Sequence, residues 1–149
     1  MTFGFEADFI ASLRCIPMAV RLSLDTCGLK LTLTQWHQLT PVERAELVTL
    51  SCATPSEIQA YRAYLCQILT AHTGHPPQNM TVDPVWLCND LPSSVQDQAA
   101  QHAIQLTDDQ WVQLSPQQRF ALLKLSRAGH ENRNFLPALW EFQLVSHGL

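Results

Sequence analysis

The apolar positions of this chain recur at helical spacing. Ile58, Tyr61, Leu65, Ile68 and Leu69 lie at offsets of 3, 7, 10 and 11, one face at a 3.6-residue period, predicting a helix from a Thr54 start to about Leu69. Pro17 and Gly28 bracket the apolar segment 18–27 as the proline start and glycine stop of an earlier helix. Near the other end, Leu136, Leu139, Trp140 and Leu144 share a helical face, and Pro137 requires that helix to begin only just before it. Asp90, Leu91, Pro92, Ser93 and Ser94 open a polar helix to about Gln105, after a turn-rich connector over 73–79. No segment alternates long enough to predict a strand.

Residues 31–51 recur 75 positions later as residues 106–126, with 11 identities in 21 positions. Trp36 matches Trp111, Pro41 matches Pro116, and Arg44 matches Arg119. Each copy carries helix-start punctuation. Thr40-Pro41-Val42-Glu43 places an N-cap hydroxyl, a proline at the first helical position and a carboxylate that can reach back to the cap N–H. Ser115-Pro116-Gln117-Gln118 repeats this form with Gln, and Thr54-Pro55-Ser56-Glu57 supplies another start. Thr32 with Gln35, and Thr107 with Gln110, put each tryptophan on a short helix ending near the next leucine. The expected fold is therefore an all-α domain with one core, built from two pseudo-repeated helical modules at about 31–69 and 106–145. Trp36 and Trp111 are its expected packing anchors, Pro41 and Pro116 its helix starts, and Arg44 and Arg119 architectural residues making a salt bridge or stack against a neighbouring helix.

Composition narrows the function. Only 15% of the 149 residues are charged, against roughly 25% in an ordinary soluble domain, while 46% are hydrophobic, so the chain reads as globular. A net charge of −4 argues against nucleic acid or an anionic membrane as partner. The first residues show neither a basic leader nor a cleavage motif, and no apolar run approaches bilayer length, so a cytoplasmic protein is expected. Cys15, Cys27, Cys52, Cys66 and Cys88 are separated by 12, 25, 14 and 22 positions, without the close pairs of zinc or iron–sulfur sites. They read as reduced thiols, mostly buried, and no metal site is expected. The six histidines form no ligand constellation, His72 being expected at a helix carboxyl end; phosphate-binding loops and nucleophile elbows are also missing.

The asymmetric part of the chain is its beginning. Glu6, Asp8, Arg14, Arg21, Asp25 and Lys30 are interleaved with Phe3, Phe5 and Phe9, with no counterpart in the second half, which makes this region the expected partner contact. The string Leu13-Arg14-Cys15-Ile16-Pro17-Met18, with Leu24-Asp25, Cys27-Gly28 and Lys30-Leu31, and continuing to Trp36 and Pro41-x-Glu43-Arg44, resembles the nitrate reductase-associated protein family of cyanobacteria. The resemblance covers most of the chain, and the string from Leu13 to Gly28 is its most specific part. It implies one nitrate reductase-associated domain over residues 1–149, acting as a non-catalytic accessory to assimilatory nitrate reductase, an enzyme carrying a molybdenum pterin and an iron–sulfur cluster. The chain has no pterin, nucleotide or cluster motif, so the expectation is no cofactor and binding to the reductase polypeptide itself. Arg14, Cys15, Asp25, Cys27 and Lys30 are nominated from the distinctive motif as the partner-binding residues. Two alternatives are a general helical adaptor using the face between the modules, and a thiol- or metal-dependent carrier using Cys15 and Cys27.

Overall fold

The structure is a computed structural model and describes residues 3–4, 15–127 and 133–145. The chain is mostly helical and divides into two compact units, Met1–Asp83 and Pro84–Leu149. In the first unit, α1 (Met18–Cys27) leads through β1 (Leu29–Lys30) to α2 (Leu33–Gln38), α3 (Pro41–Thr49), α4 (Pro55–Thr73) and β2 (Gln78–Asn79). In the second, a 3-10 turn (Val85–Leu87) precedes α5 (Ser93–Gln101), α6 (Asp108–Gln113), α7 (Pro116–Leu125) and α8 (Phe135–Glu141).

Five of these helices start on a reciprocal capping box. Thr32, Thr40, Thr54, Thr107 and Ser115 each accept from the backbone N–H three residues on, at 3.1–3.2 Å, and the Gln or Glu there accepts from the cap's own N–H at 2.9–3.0 Å. Each cap satisfies donors that a helix start would otherwise leave unpaired and contributes about 1 kcal/mol. Pro41, Pro55 and Pro116 occupy the first helical position, where no N–H is needed.

Helix α4 is the spine of the first unit. Its Tyr61, Leu65, Ile68 and Leu69 are buried with Val20 and Leu24 of α1, Trp36 of α2 and Leu47 of α3. The helix continues one turn past its apolar stripe, to Thr73, because Gly74 rather than the end of the stripe stops it: Gly74 takes φ 80° and donates its N–H to the Thr70 carbonyl. In that last turn His72 Nε2 lies 2.8 Å from Glu43 Oε1 in the first turn of α3. In the second unit the core is built on α7, whose Phe120, Leu122 and Leu125 are buried with Trp86, Trp111, Phe135 and Leu139. Trp86 meets Phe120 edge-on, with centroids 5.1 Å apart.

Two further helix ends differ from the sequence expectation. Helix α5 stops at Gln101, not near Gln105, in a Schellman closure: Ile104 N–H donates to the Ala99 carbonyl and Ala103 N–H to that of Ala100, with Ala103 at φ 57°. Helix α8 closes the same way, Leu144 N–H donating to Leu139 and Gln143 N–H to Trp140, with Gln143 at φ 61°. Its buried face is accordingly Phe135, Ala138 and Leu139, while Leu136, Trp140 and Leu144 are half-buried. A short antiparallel ribbon pairs Leu29 with Asn79 and Lys30 with Gln78, a pairing too brief to register as alternation in the sequence.

Candidate functional site

At the carboxyl end of α1, described side chains from α1, α4 and the α3–α4 connection converge on one turn. Gly28 ends the helix at φ 73°, donating to the Leu24 carbonyl, and its own carbonyl accepts from Met80 N–H at 2.9 Å. The approach is close: a Cβ at this position would lie 3.0 Å from Val82 Cγ2 and 3.1 Å from the Met80 carbonyl oxygen. Arg62 of α4 clasps the turn from below, donating through Nη1 to the Cys27 carbonyl at 2.8 Å and through Nη2 to Asn79 Oδ1. One planar guanidinium thus ties α4 to the end of α1 and to β2.

Beneath this turn two thiols meet. Cys27 Sγ is buried and lies 3.5 Å from Cys52 Sγ, which sits half-buried in the connection between α3 and α4. Cys27 Sγ is also 3.6 Å from the Ile58 carbonyl oxygen, and Cys52 Sγ is 3.9 Å from that of Ser23. The hydrogen bond with Cys52, reinforced by burial, pushes the Cys27 thiol far above its ordinary range. The same hydrogen bond pulls Cys52 below its ordinary range, against its own partial burial. Either thiol can donate across the pair, and each also has a backbone carbonyl within reach, Ile58 for Cys27 and Ser23 for Cys52. Close by, Tyr61 is buried and donates its hydroxyl to the Leu47 carbonyl at 2.9 Å; desolvation raises its phenol well above the ordinary value.

Of the five residues nominated for partner contact, Asp25 and Cys27 stand in the last turn of α1 and Lys30 on the β1 that follows, Asp25 half-buried, Cys27 buried and Lys30 exposed. Cys15 is exposed and precedes α1, so a helix of 10 residues, about 15 Å long, separates it from Cys27. Arg14 lies outside the described residues. Cys27 thus faces Cys52, not Cys15, as its thiol neighbour. Arg62 is the residue that sequence reasoning missed, although a signal was there: the position 75 residues later holds Pro137, so the repeat breaks at this place.

The other nominated residues lie in the framework. Trp36 and Trp111 are 0% and 1% exposed, and Trp111 Nε1 donates to the Cys88 carbonyl at 2.9 Å. Arg44 Nε donates to the Leu39 carbonyl and Arg119 Nε to the Leu114 carbonyl, each at 3.2 Å, capping the end of the preceding short helix. Arg119 also reaches the Trp86 carbonyl through Nη1 at 3.1 Å.

A separate open hollow of about 410 Å³ on the first unit is lined by Glu46, Leu50, Glu57, Tyr61 and Tyr64. Among the described residues no three His, Cys, Asp or Glu side chains gather so as to hold a metal ion, and no helix is long and apolar enough to cross a membrane.

No curated protein and no solved structure matches the chain. A family model does match, that of the conserved nitrate reductase-associated protein, and it spans residues 2–142, taking in the α1 turn, the thiol pair, Trp36 and Trp111. With nearly the whole sequence inside that match, the chain belongs to the conserved nitrate reductase-associated protein family.

Proposed function

We propose that this protein is a non-catalytic, cytoplasmic accessory of assimilatory nitrate reductase that binds the reductase polypeptide and supports its assembly, stability or activity. The observation that carries this reading is the family match over residues 2–142, whose description associates the family with nitrate reductase. We place the contact at the asymmetric beginning of the chain, with Arg14, Cys15, Asp25 and Lys30 forming or flanking the bound surface and Cys27 supporting it from beneath. In this reading the whole chain acts as one nitrate reductase-associated domain whose two helical modules repeat one plan. The paired caps, the buried Trp36 and Trp111 and the carbonyl-capping Arg44 and Arg119 support that plan. Binding the folded or near-folded reductase would stabilise it by mass action.

The test is a tagged pull-down from nitrate-grown cells that asks whether nitrate reductase is retained after a moderate-salt wash and whether it carries molybdenum. Reductase with molybdenum identifies a lasting stabiliser, and reductase without it an assembly factor; recovery of no reductase in either form refutes the proposal. Replacing Arg14 or Asp25 by Ala is expected to impair the reductase more than replacing His72 or His130, with the accessory protein still folded. Equal restoration by all four variants would move the contact away from the start of the chain.

A further inference from the structure

Cys27 and Cys52 come from elements 25 residues apart in sequence, yet their sulfurs are 3.5 Å apart, and their surroundings make the two thiols unequal. Cys27 is held rigidly: it is the last residue of α1, its carbonyl is bonded by Arg62, and Gly28 and the ribbon fix the chain that follows. Cys52 stands in the short connection between Thr49, where α3 ends, and Pro55, where α4 begins, and is half-buried where Cys27 is buried. We propose that Cys27 and Cys52 form a reversible dithiol–disulfide couple that exchanges with a low-molecular-weight disulfide, Cys52 being the attacking thiol and Cys27 the resolving one.

The assignment of roles follows from access, Cys52 being half-buried in a non-helical connection and Cys27 buried at the end of α1. Cys52 gives up its proton to solvent, and its thiolate attacks one sulfur of the donor disulfide; a Cys52–donor sulfur bond forms, the donor's S–S bond breaks, and one donor thiolate leaves. Cys27 then loses its proton to that leaving thiolate, and its sulfur attacks Cys52 Sγ. The Cys27–Cys52 bond forms, the mixed disulfide breaks, and the second donor thiolate takes up the proton that Cys52 released. Two electrons pass from the cysteines to the donor, which ends as two thiols. Reaching a bond length of about 2.05 Å requires the sulfurs to close by about 1.5 Å, which falls to Cys52 because its segment is not helical. The link would tie the end of α1 covalently to the α3–α4 connection, and reduction would release it.

The experiment is to incubate the full chain, reduced and native, with glutathione disulfide, block the remaining thiols with an alkylating reagent, and map the linked peptides by mass. The expected result is a Cys27–Cys52 peptide in a protein that has lost two hydrogens, restored by a dithiol reductant, with the urea midpoint of the oxidised form shifted upward. Cys27→Ala is expected to stop at glutathione on Cys52, and Cys52→Ser to leave Cys27 unmodified. Cys66→Ser, which changes the neighbouring half-buried thiol, is expected to form the Cys27–Cys52 link as the parent does. The proposal is overturned if the native parent keeps glutathione on Cys52 without resolving it, if Cys27 links to Cys66 instead, or if only the exposed Cys15 and Cys88 react. Any of these outcomes can be read whether or not the protein binds a reductase.

Discussion

Gly28 and Gly74 both end helices in the left-handed region, at φ 73° and 80°, but only Gly28 is crowded. Exchanging each for alanine separates the conformational cost from the contact cost. An L-residue in this region costs about 1–2 kcal/mol, and loss of glycine's freedom in the unfolded chain returns about 0.4–1 kcal/mol. At Gly74 a new Cβ would meet nothing within 4 Å, so Gly74→Ala is expected to cost about 1 kcal/mol. At Gly28 the same Cβ would press on Val82 Cγ2 at 3.0 Å and on the Met80 carbonyl oxygen at 3.1 Å. The Val82 side chain is 44% exposed and can turn aside. The Met80 backbone is less free, because its N–H is bonded to Gly28 and it directly follows the paired strand β2. Crowding against backbone adds about 1–2 kcal/mol, so Gly28→Ala is expected to cost about 2–3 kcal/mol in all. Urea melts at constant slope measure both, with thermal midpoints falling by about 2–4 °C for each kcal/mol. Both glycines lie in the first unit, so the two variants are compared on the same transition even if the units unfold separately. Equal losses at the two positions would refute the reasoning, since they would mean that the Met80 backbone yields freely and does not clamp the α1 turn.

Ala103 supplies the inverse experiment: it holds φ 57° without being glycine, so Ala103→Gly is expected to raise stability by about 0.5–1 kcal/mol in thermal melts, and a loss would count against the Schellman closure of α5. Tyr61→Phe keeps the buried ring but leaves the Leu47 carbonyl without its 2.9 Å hydroxyl donor, for an expected loss of about 1–3 kcal/mol by urea melts; a neutral result would show that the carbonyl is otherwise satisfied. Arg119→Lys should lose about 1–3 kcal/mol, because an ammonium cannot span the Leu114 and Trp86 carbonyls as the guanidinium does, and parent-like melts would show that neither bond matters. The Thr54 N–H, and then that of Ala53, hold the Glu57 carboxyl below its ordinary range. A depressed folded value means stability that is present above the unfolded value of about 4.3 and lost as pH falls through the folded one. Glu57→Gln preserves the box, as Gln35, Gln110 and Gln118 do in theirs, so its stability deficit at neutral pH should close in acid; a deficit independent of pH would remove the charge from the explanation.

Features that chain-local chemistry governs are legible in the sequence alone. A capping box is complete within four residues, so the starts of α2, α3, α4, α6 and α7 could be read from Thr or Ser followed by Gln or Glu. Pro17 and Gly28 likewise bracket α1 as expected, because ring-locked φ and left-handed φ are properties of single residues. The apolar stripe stops at Leu69, but α4 runs on to Thr73 because Gly74 carries the stop signal. The ends of α5 and α8 carry no glycine signal, since Ala103 and Gln143 take the left-handed conformation as non-glycine residues.

The candidate site divides along the same line. The motif from Leu13 to Lys30 identified the family, and family membership follows from residue identities alone. What lies against that motif depends on tertiary structure: Cys52 against Cys27, Arg62 on the Cys27 carbonyl, and β2 beside β1 bring together residues 25, 35 and about 50 positions apart. Thiol spacing in sequence therefore pointed to no pair, and a two-residue ribbon is too short to leave a periodic signature. Local propensity acts over a few residues and is written in their order, whereas these contacts exist only once burial of Tyr61, Leu65, Trp36 and their neighbours has folded α4 against the end of α1.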